Sequence, residues 1–164
     1  MATKYIKGGE ALKAKLEELA KAVSTGGTLK VGFFEGSTEE DGTSIPMLAA
    51  IHNFGAPKRK IPPRPFFSNM VKDHKKEWPE ELATDLKVAN YDTKTALELL
   101  AETMKGQLRD AITNGNFVPL KPRTLKARGV DPNTIYNPDD SSTFGAKPLI
   151  RTGNMLNSVG SKVE

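Results

Sequence analysis

Apolar positions recur along this chain with two periods. Ala11, Leu12, Leu16, Leu19, Ala20 and Val23 share one helical face, and Lys13, Lys15, Glu17, Glu18 and Lys21 fill the other. That spacing predicts an amphipathic first helix, stopped by Gly26 and Gly27. The period then shortens: in "TLKVGFFEG", Leu29, Val31 and Phe33 alternate with Lys30, Gly32 and Phe34, which predicts a half-buried strand over 28–35. A polar loop follows, with Asp41-Gly42 as a turn signal.

Helical spacing resumes at Pro46, a residue suited to a first turn because its missing N–H has no partner there. Met47, Leu48 and Ile51 carry a short helix to Phe54, with Gly55 as its cap, and 56–65 reads as a loop. A long helix is expected over 66–87, with Phe67, Met70, Val71, His74, Trp78 and Leu82 on one face. Pro79 predicts a kink or break at Trp78. The cleanest stripe lies over 93–114: Leu97, Leu100, Met104, Leu108, Ala111 and Ile112, ended by Gly115. Beyond it the chain is rich in loops. A short helix is expected over 122–128, an extended loop over about 130–147, a short helix capped by Thr152 and ending at Asn157, and a last strand from Ser158 onward.

These elements describe a single domain over 1–164 of the α+β class. A small antiparallel or mixed sheet is packed by several helices, with long loops and a proline-rich segment. Hydrophobic residues make up 37% of the chain, which sets a modest core.

Charge adds little to this picture. The net charge is +4 and the pI about 9.2, but the lysines sit beside glutamates, as on a solvated face. There is no cysteine, so thiolate nucleophiles, disulfides and Cys-ligated metals are excluded. The first ten residues lack the apolar core of a signal peptide, and no apolar run approaches the ~20 residues of a membrane span. A protein made in a cytoplasm and staying soluble is expected.

Catalytic patterns are absent. His52 and His74 have no metal-ligand spacing, and neither Gly-x-Ser-x-Gly nor a P-loop occurs. Gly32, Gly36 and Gly42 are too scattered to cradle a phosphate. Asp131, Asp139 and Asp140 lack the alternation of a calcium loop, and Glu77, Glu80 and Glu81 beside Trp78 read as a solvated face. No catalytic, cofactor-binding or metal-binding residue is assigned. "PKRK" and "KPRTLKAR" are basic enough to meet phosphates, but no recognition-helix or RNA-motif pattern accompanies them.

The segment "IPPRPFF" points instead to assembly. Prolines pre-order an extended backbone, so docking costs little entropy. Arg64 is able to pair a carboxylate through two hydrogen bonds, and Phe66 and Phe67 offer anchor area. The competing reading is that the prolines connect two helices and both phenylalanines enter the core; Phe67 divides evenly between the two.

Four blocks stand in a fixed order: "LKVGFFEG", then "IPMLAAIHNFGAP" with "IPPRPFF", then "FVPLKPRTLKARG", then "KPLIRTGNMLNSV". Together they resemble the tail-completion, or neck, proteins of tailed bacteriophages, also called head–tail joining or virion morphogenesis proteins. The matching positions are Ile51, His52, Phe54 and Gly55; Ile61, Pro62, Arg64, Pro65 and Phe66; Pro119, Leu120, Thr124 and Arg128; Leu149, Thr152, Gly153 and Ser158. The resemblance implies a structural, non-enzymatic virion protein that forms a homo-oligomeric ring between the DNA-filled head and the tail. Its implied partners are further copies of itself, portal or adaptor proteins, tail-tube or tail-terminator proteins, and double-stranded DNA passing without sequence preference. No membrane or small-molecule partner is implied. Phe54, Ile61, Pro62, Pro63, Arg64, Pro65, Phe66, Arg123, Arg128 and Thr152 are the expected interface residues. The chain departs from the family in a longer loop over 131–145 and in ending soon after the last block, so the final strand is expected to be short or to pair with a neighbour. A tail terminator or minor tail protein, and a basic DNA-associating accessory protein, are the alternatives. On the interface reading, replacing Arg64 and Phe66 together by alanine leaves a soluble fold and impairs joining.

Overall fold

The computed structural model describes residues 9–24, 26–137 and 139–164, with the side chain of residue 141 left out. Among them the order is α1 (Gly9–Ser24), β1 (Leu29–Phe33), α2 (Ile45–Phe54), α3 (Phe66–His74), α4 (Trp78–Val88), α5 (Thr93–Asn114), α6 (Pro122–Ala127), α7 (Asn154–Asn157) and β2 (Val159–Val163). Short 3-10 turns fall at Pro57–Arg59 and Ser141–Ala146. The class is α+β, as the patterning predicts.

Helix α5 is the spine. Asp92 caps it by accepting from the Thr95 N–H at 3.1 Å. Its inner face buries Ala96, Leu97, Leu100, Ala101, Leu108 and Ile112, and it packs against α3, α4, β1 and β2. Trp78 joins α4 to it by donating Nε1–H to Gln107 Oε1 at 2.9 Å. The two strands pair antiparallel, Leu29 opposite Val163 and Phe33 opposite Val159. Main-chain bonds between Thr28 and Glu164, 2.7 and 3.0 Å, extend the ladder by one step. The last strand is therefore short, and its partner is β1 of the same chain.

The segment from α2 to α3 is a tight elbow. Gly55 ends α2 at φ 76°, where a Cβ would stand 2.8 Å from Pro63 N and 3.0 Å from Ile61 O, so only glycine fits. The chain loops out through the 3-10 turn and left-handed Lys60, then returns through a bridge between Ala56 and Ile61. Arg64 N–H donates to His52 O at 2.7 Å. Pro65, at φ −77° and ψ 55°, has inverse γ-turn angles, closed by Phe66 N–H donating to Arg64 O at 2.7 Å.

That turn drives Phe66 inward. It is 1% exposed, among Ile45, Ala49, Met70, Leu108, Ile112, Leu149, Met155 and Val159, with its ring 6.1 Å from that of Phe33 in an edge-to-face pair. The expected docking role of Phe66 is corrected: it is a core residue. Arg64, 5% exposed, is also interior, and it donates Nε–H to Val118 O at 3.3 Å rather than pairing a carboxylate. Phe67 is half-buried against the core. Ile61, Pro62 and Pro65 are half-buried, while Pro63 and Phe54 face outward. The prolines connect two helices.

Other expectations shift in detail. The helix expected over 66–87 breaks after His74, and Pro79 falls in the first turn of α4, where it costs no hydrogen bond. The loop over 130–147 is not free at its far end: Ala146 and Lys147 are buried. The Lys147 ammonium lies 5.0 Å from the Tyr136 ring and 5.4 Å from the Phe144 ring, so cation–π contact anchors that end. Thr152 stands one residue before the α7 N-cap, which is Gly153, and still accepts from Asn154 N–H at 3.2 Å.

The double replacement of Arg64 and Phe66 is therefore expected to unfold the protein rather than spare it. Phe66→Ala alone should cost about 3–5 kcal/mol, whereas Phe54→Ala at a 73% exposed site should change stability by no more than about 0.5 kcal/mol. Urea titrations of the two variants check this; equal losses would place Phe66 outside the core.

Candidate interface and the arginine-histidine cleft

Three of the four sequence blocks meet at one place. His52 on α2, Arg128 at the end of α6, and Leu149, Arg151 and Thr152 of the closing segment line a cleft of about 320 Å³, with Glu39, Asp41 and Met155 also on its walls. Arg64 adjoins it through its main-chain bond to His52. Arg128 acts as a staple: its Nη1 donates to Lys147 O at 2.8 Å, Ile150 O at 3.0 Å and, at a longer 3.4 Å, Gly145 O. One guanidinium thus fixes the end of the long loop beside α6. Thr152 Oγ1 and Asn154 Nδ2 donate to Glu39 Oε2 at 3.0 and 2.9 Å.

Among the described residues, Arg64, Arg128 and Arg151 take part in no ion pair. Burial pushes the Arg64 and Arg128 values down. His52 responds most: burial, then the charges of Arg64 and Arg128, hold its pKa down to about 4. Its Nδ1 is buried without a hydrogen-bond partner. A neutral imidazole within electrostatic reach of two cations is what such a site tolerates, because a third positive charge would be both desolvated and repelled. The arrangement joins α2, the proline elbow, α6 and the closing segment.

The other expected residues lie apart from this cleft. Phe54 and Arg123 are exposed. The basic runs come together: Lys121 Nζ donates to Lys60 O at 3.5 Å, so the exposed lysines and arginines of 58–60 and of 121–126 adjoin. Asp131 and Asp140 accept from neighbouring main-chain N–H groups and act as turn caps. No group of three or more His, Cys, Asp or Glu among the described residues is placed to hold a metal. No described helix is long and apolar enough to cross a membrane.

Sequence reasoning missed Asn53, 5% exposed, whose Oδ1 accepts from the N–H groups of Phe67 and Ser68 at 3.1 and 3.2 Å and whose Nδ2 donates to Ser68 Oγ at 2.8 Å. A remote cap fourteen residues away leaves no local signal. It also missed that α1 buries none of its residues: the stripe was visible, its lack of cover was not.

No protein-family model matches this chain, and no curated protein or solved structure matches it.

The depressed His52 pKa sets an acid limit on stability. The unfolded imidazole binds a proton near 6.5 and the folded one near 4, so the unfolded state holds more protons between them. The His52 contribution is complete above pH 6.5 and is lost as pH falls toward about 4. His52→Gln should show a smaller fall in melting temperature across that window than the parent chain; parallel curves would refute a titrating, buried His52.

Proposed function

We propose that this chain is a structural protein of the head–tail junction of a tailed bacteriophage, a non-catalytic subunit of a ring that joins the DNA-filled head to the tail around the DNA channel. The reading rests on the resemblance of the four sequence blocks to tail-completion proteins. The observation that carries it is the convergence of three of them: His52 and Arg64 from the second, Arg128 from the third, and Leu149 and Thr152 from the last gather around one cleft or adjoin it. Residues that share a motif set and meet as one packed knot behave as determinants of a common fold, which is the role the resemblance gives them.

Two surface features fit a ring subunit. Leu12, Leu16, Val23, Met47 and Phe54 are left exposed in the single chain, as expected where copies complete each other's burial. The adjoining basic runs around Lys60 and Lys121 offer a phosphate-facing patch for passing DNA. The interface set becomes Phe54, Pro63 and Arg123 at the surface, with Thr152 at the cleft rim and Arg64, Phe66 and Arg128 supporting the fold from within.

The same basic patch favours the second reading, a DNA-associating accessory protein. That reading requires a nanomolar, steeply salt-dependent affinity of the monomer for duplex DNA. The neck reading expects weak binding, because tight phosphate contacts would hold back ejection.

Mass spectrometry of purified particles, with the portal subunit as internal ratio, tests the proposal. A copy number equal to the portal's, or half of it, is the expected result. Absence from mature particles would overturn it.

A further inference from the structure

Two apolar surfaces lack a cover among the described residues. On α1, Leu12, Leu16, Leu19 and Val23 are spaced four, three and four residues apart, the d-a-d-a pattern of a helix-packing seam. Leu12 is 63% exposed, Leu16 56% and Val23 42%, and α1 has no buried residue. The second surface is a groove of about 240 Å³ along α2, where Pro46, Ala50 and Phe54 face Phe33 of β1 and Phe67 of α3. Met47 and Phe54 stand open on this helix with the small Ala50 between them. The seam runs for about 17 Å and the α2 face for about 12 Å, at ~1.5 Å per residue. A ridge of leucines over an alanine gap is the contact that lets two helices approach closely.

We propose that α1 of one copy lies in the α2 groove of the next copy, so that each subunit gives a helix to one neighbour and receives one from the other. The inference rests on the ring reading above and names its contact. Charge identifies the occupant. Helix α2 carries no Asp, Glu, Lys or Arg. Helix α1 carries Glu10, Glu17 and Glu18 against Lys13, Lys15 and Lys21, and it pairs Lys13 with Glu17 at 3.9 Å and Lys15 with Glu18 at 2.9 Å. A neutral groove and a self-paired helix meet without stranding a charge. Nucleic acid or an anionic lipid surface gains nothing from a helix whose charges cancel. The contact is heterologous, seam to groove, which is the type that closes into rings.

The chain has no native cysteine, so a designed pair reports this contact alone. Leu16→Cys with Ala50→Cys in one full-length chain is expected, under mild oxidation, to give a ladder from dimers upward. Neither single variant should do so. A dimer from Leu16→Cys alone would mean that α1 pairs with α1, and would overturn the proposal; so would the absence of any cross-link.

Leu16→Glu, at an exposed site, should leave the melting temperature unchanged and weaken self-association by about tenfold or more in sedimentation velocity. If that variant assembles as the parent does, the seam is not the interface, although the ring reading survives. If the parent chain is monomeric at every concentration and binds vesicles of zwitterionic and anionic lipid through Leu16, the occupant is a membrane and the proposal fails. Absence from particles, measured separately, is the result that removes the ring reading itself.

Discussion

The Asn53 side chain ties the end of α2 to the start of α3, and the remaining core is arranged around that tie. Its amide meets three groups at once, two main-chain N–H donors and the Ser68 hydroxyl. The first turn of a helix exposes N–H groups with no partner inside the helix, and here a residue of the previous helix supplies one. Because the amide is buried, each unmade bond would cost a full desolvation penalty. The elbow is therefore held to one geometry. Gly55, the Ala56–Ile61 bridge and the Pro65 turn lie inside that restraint, and Phe66 is delivered to α5 by it.

The arginine-histidine cleft shows the same economy with harder materials. A half-buried guanidinium needs acceptors, and Arg128 takes main-chain carbonyls of the closing segment where a carboxylate would ordinarily serve. Carbonyl acceptors satisfy the donors without cancelling the charge, so the positive potential persists at His52. Burial first, and this potential second, keep the imidazole neutral. Packing, hydrogen bonding and protonation are thus coupled at the spot where the separate sequence blocks join.

Periodicity made much of the fold legible. The α5 stripe, the β1 alternation, the Pro46 start and Gly55 stop of α2, and the break before Trp78 all follow from local rules that the structure obeys. The pairing of β2 with β1 spans almost the whole chain and has no local signal beyond weak alternation. The proline segment misled in a specific way. Arginine and phenylalanine are enriched at interfaces, and that argument knows residue type but not direction. Direction was set by a single turn at Pro65 and by a cap from Asn53, neither readable without the fold. Lys147 was hidden for a related reason: a lysine in a polar loop reads as solvated, and only the fold brings Tyr136 and Phe144 around its ammonium.

Helix α1 gives the molecule two levels of stability. It meets the rest of the chain near its end, where Thr93 Oγ1 donates to Ala22 O at 3.0 Å, and it adds nothing to the core that α5 organises. Its amide protons should exchange with solvent through local fraying, while those of α5 wait for global opening. A thermal melt of the isolated chain therefore reads the α5 core and is blind to the helix. Deuterium uptake confined to the first helix would then serve as the sensor of whether a neighbour is seated there.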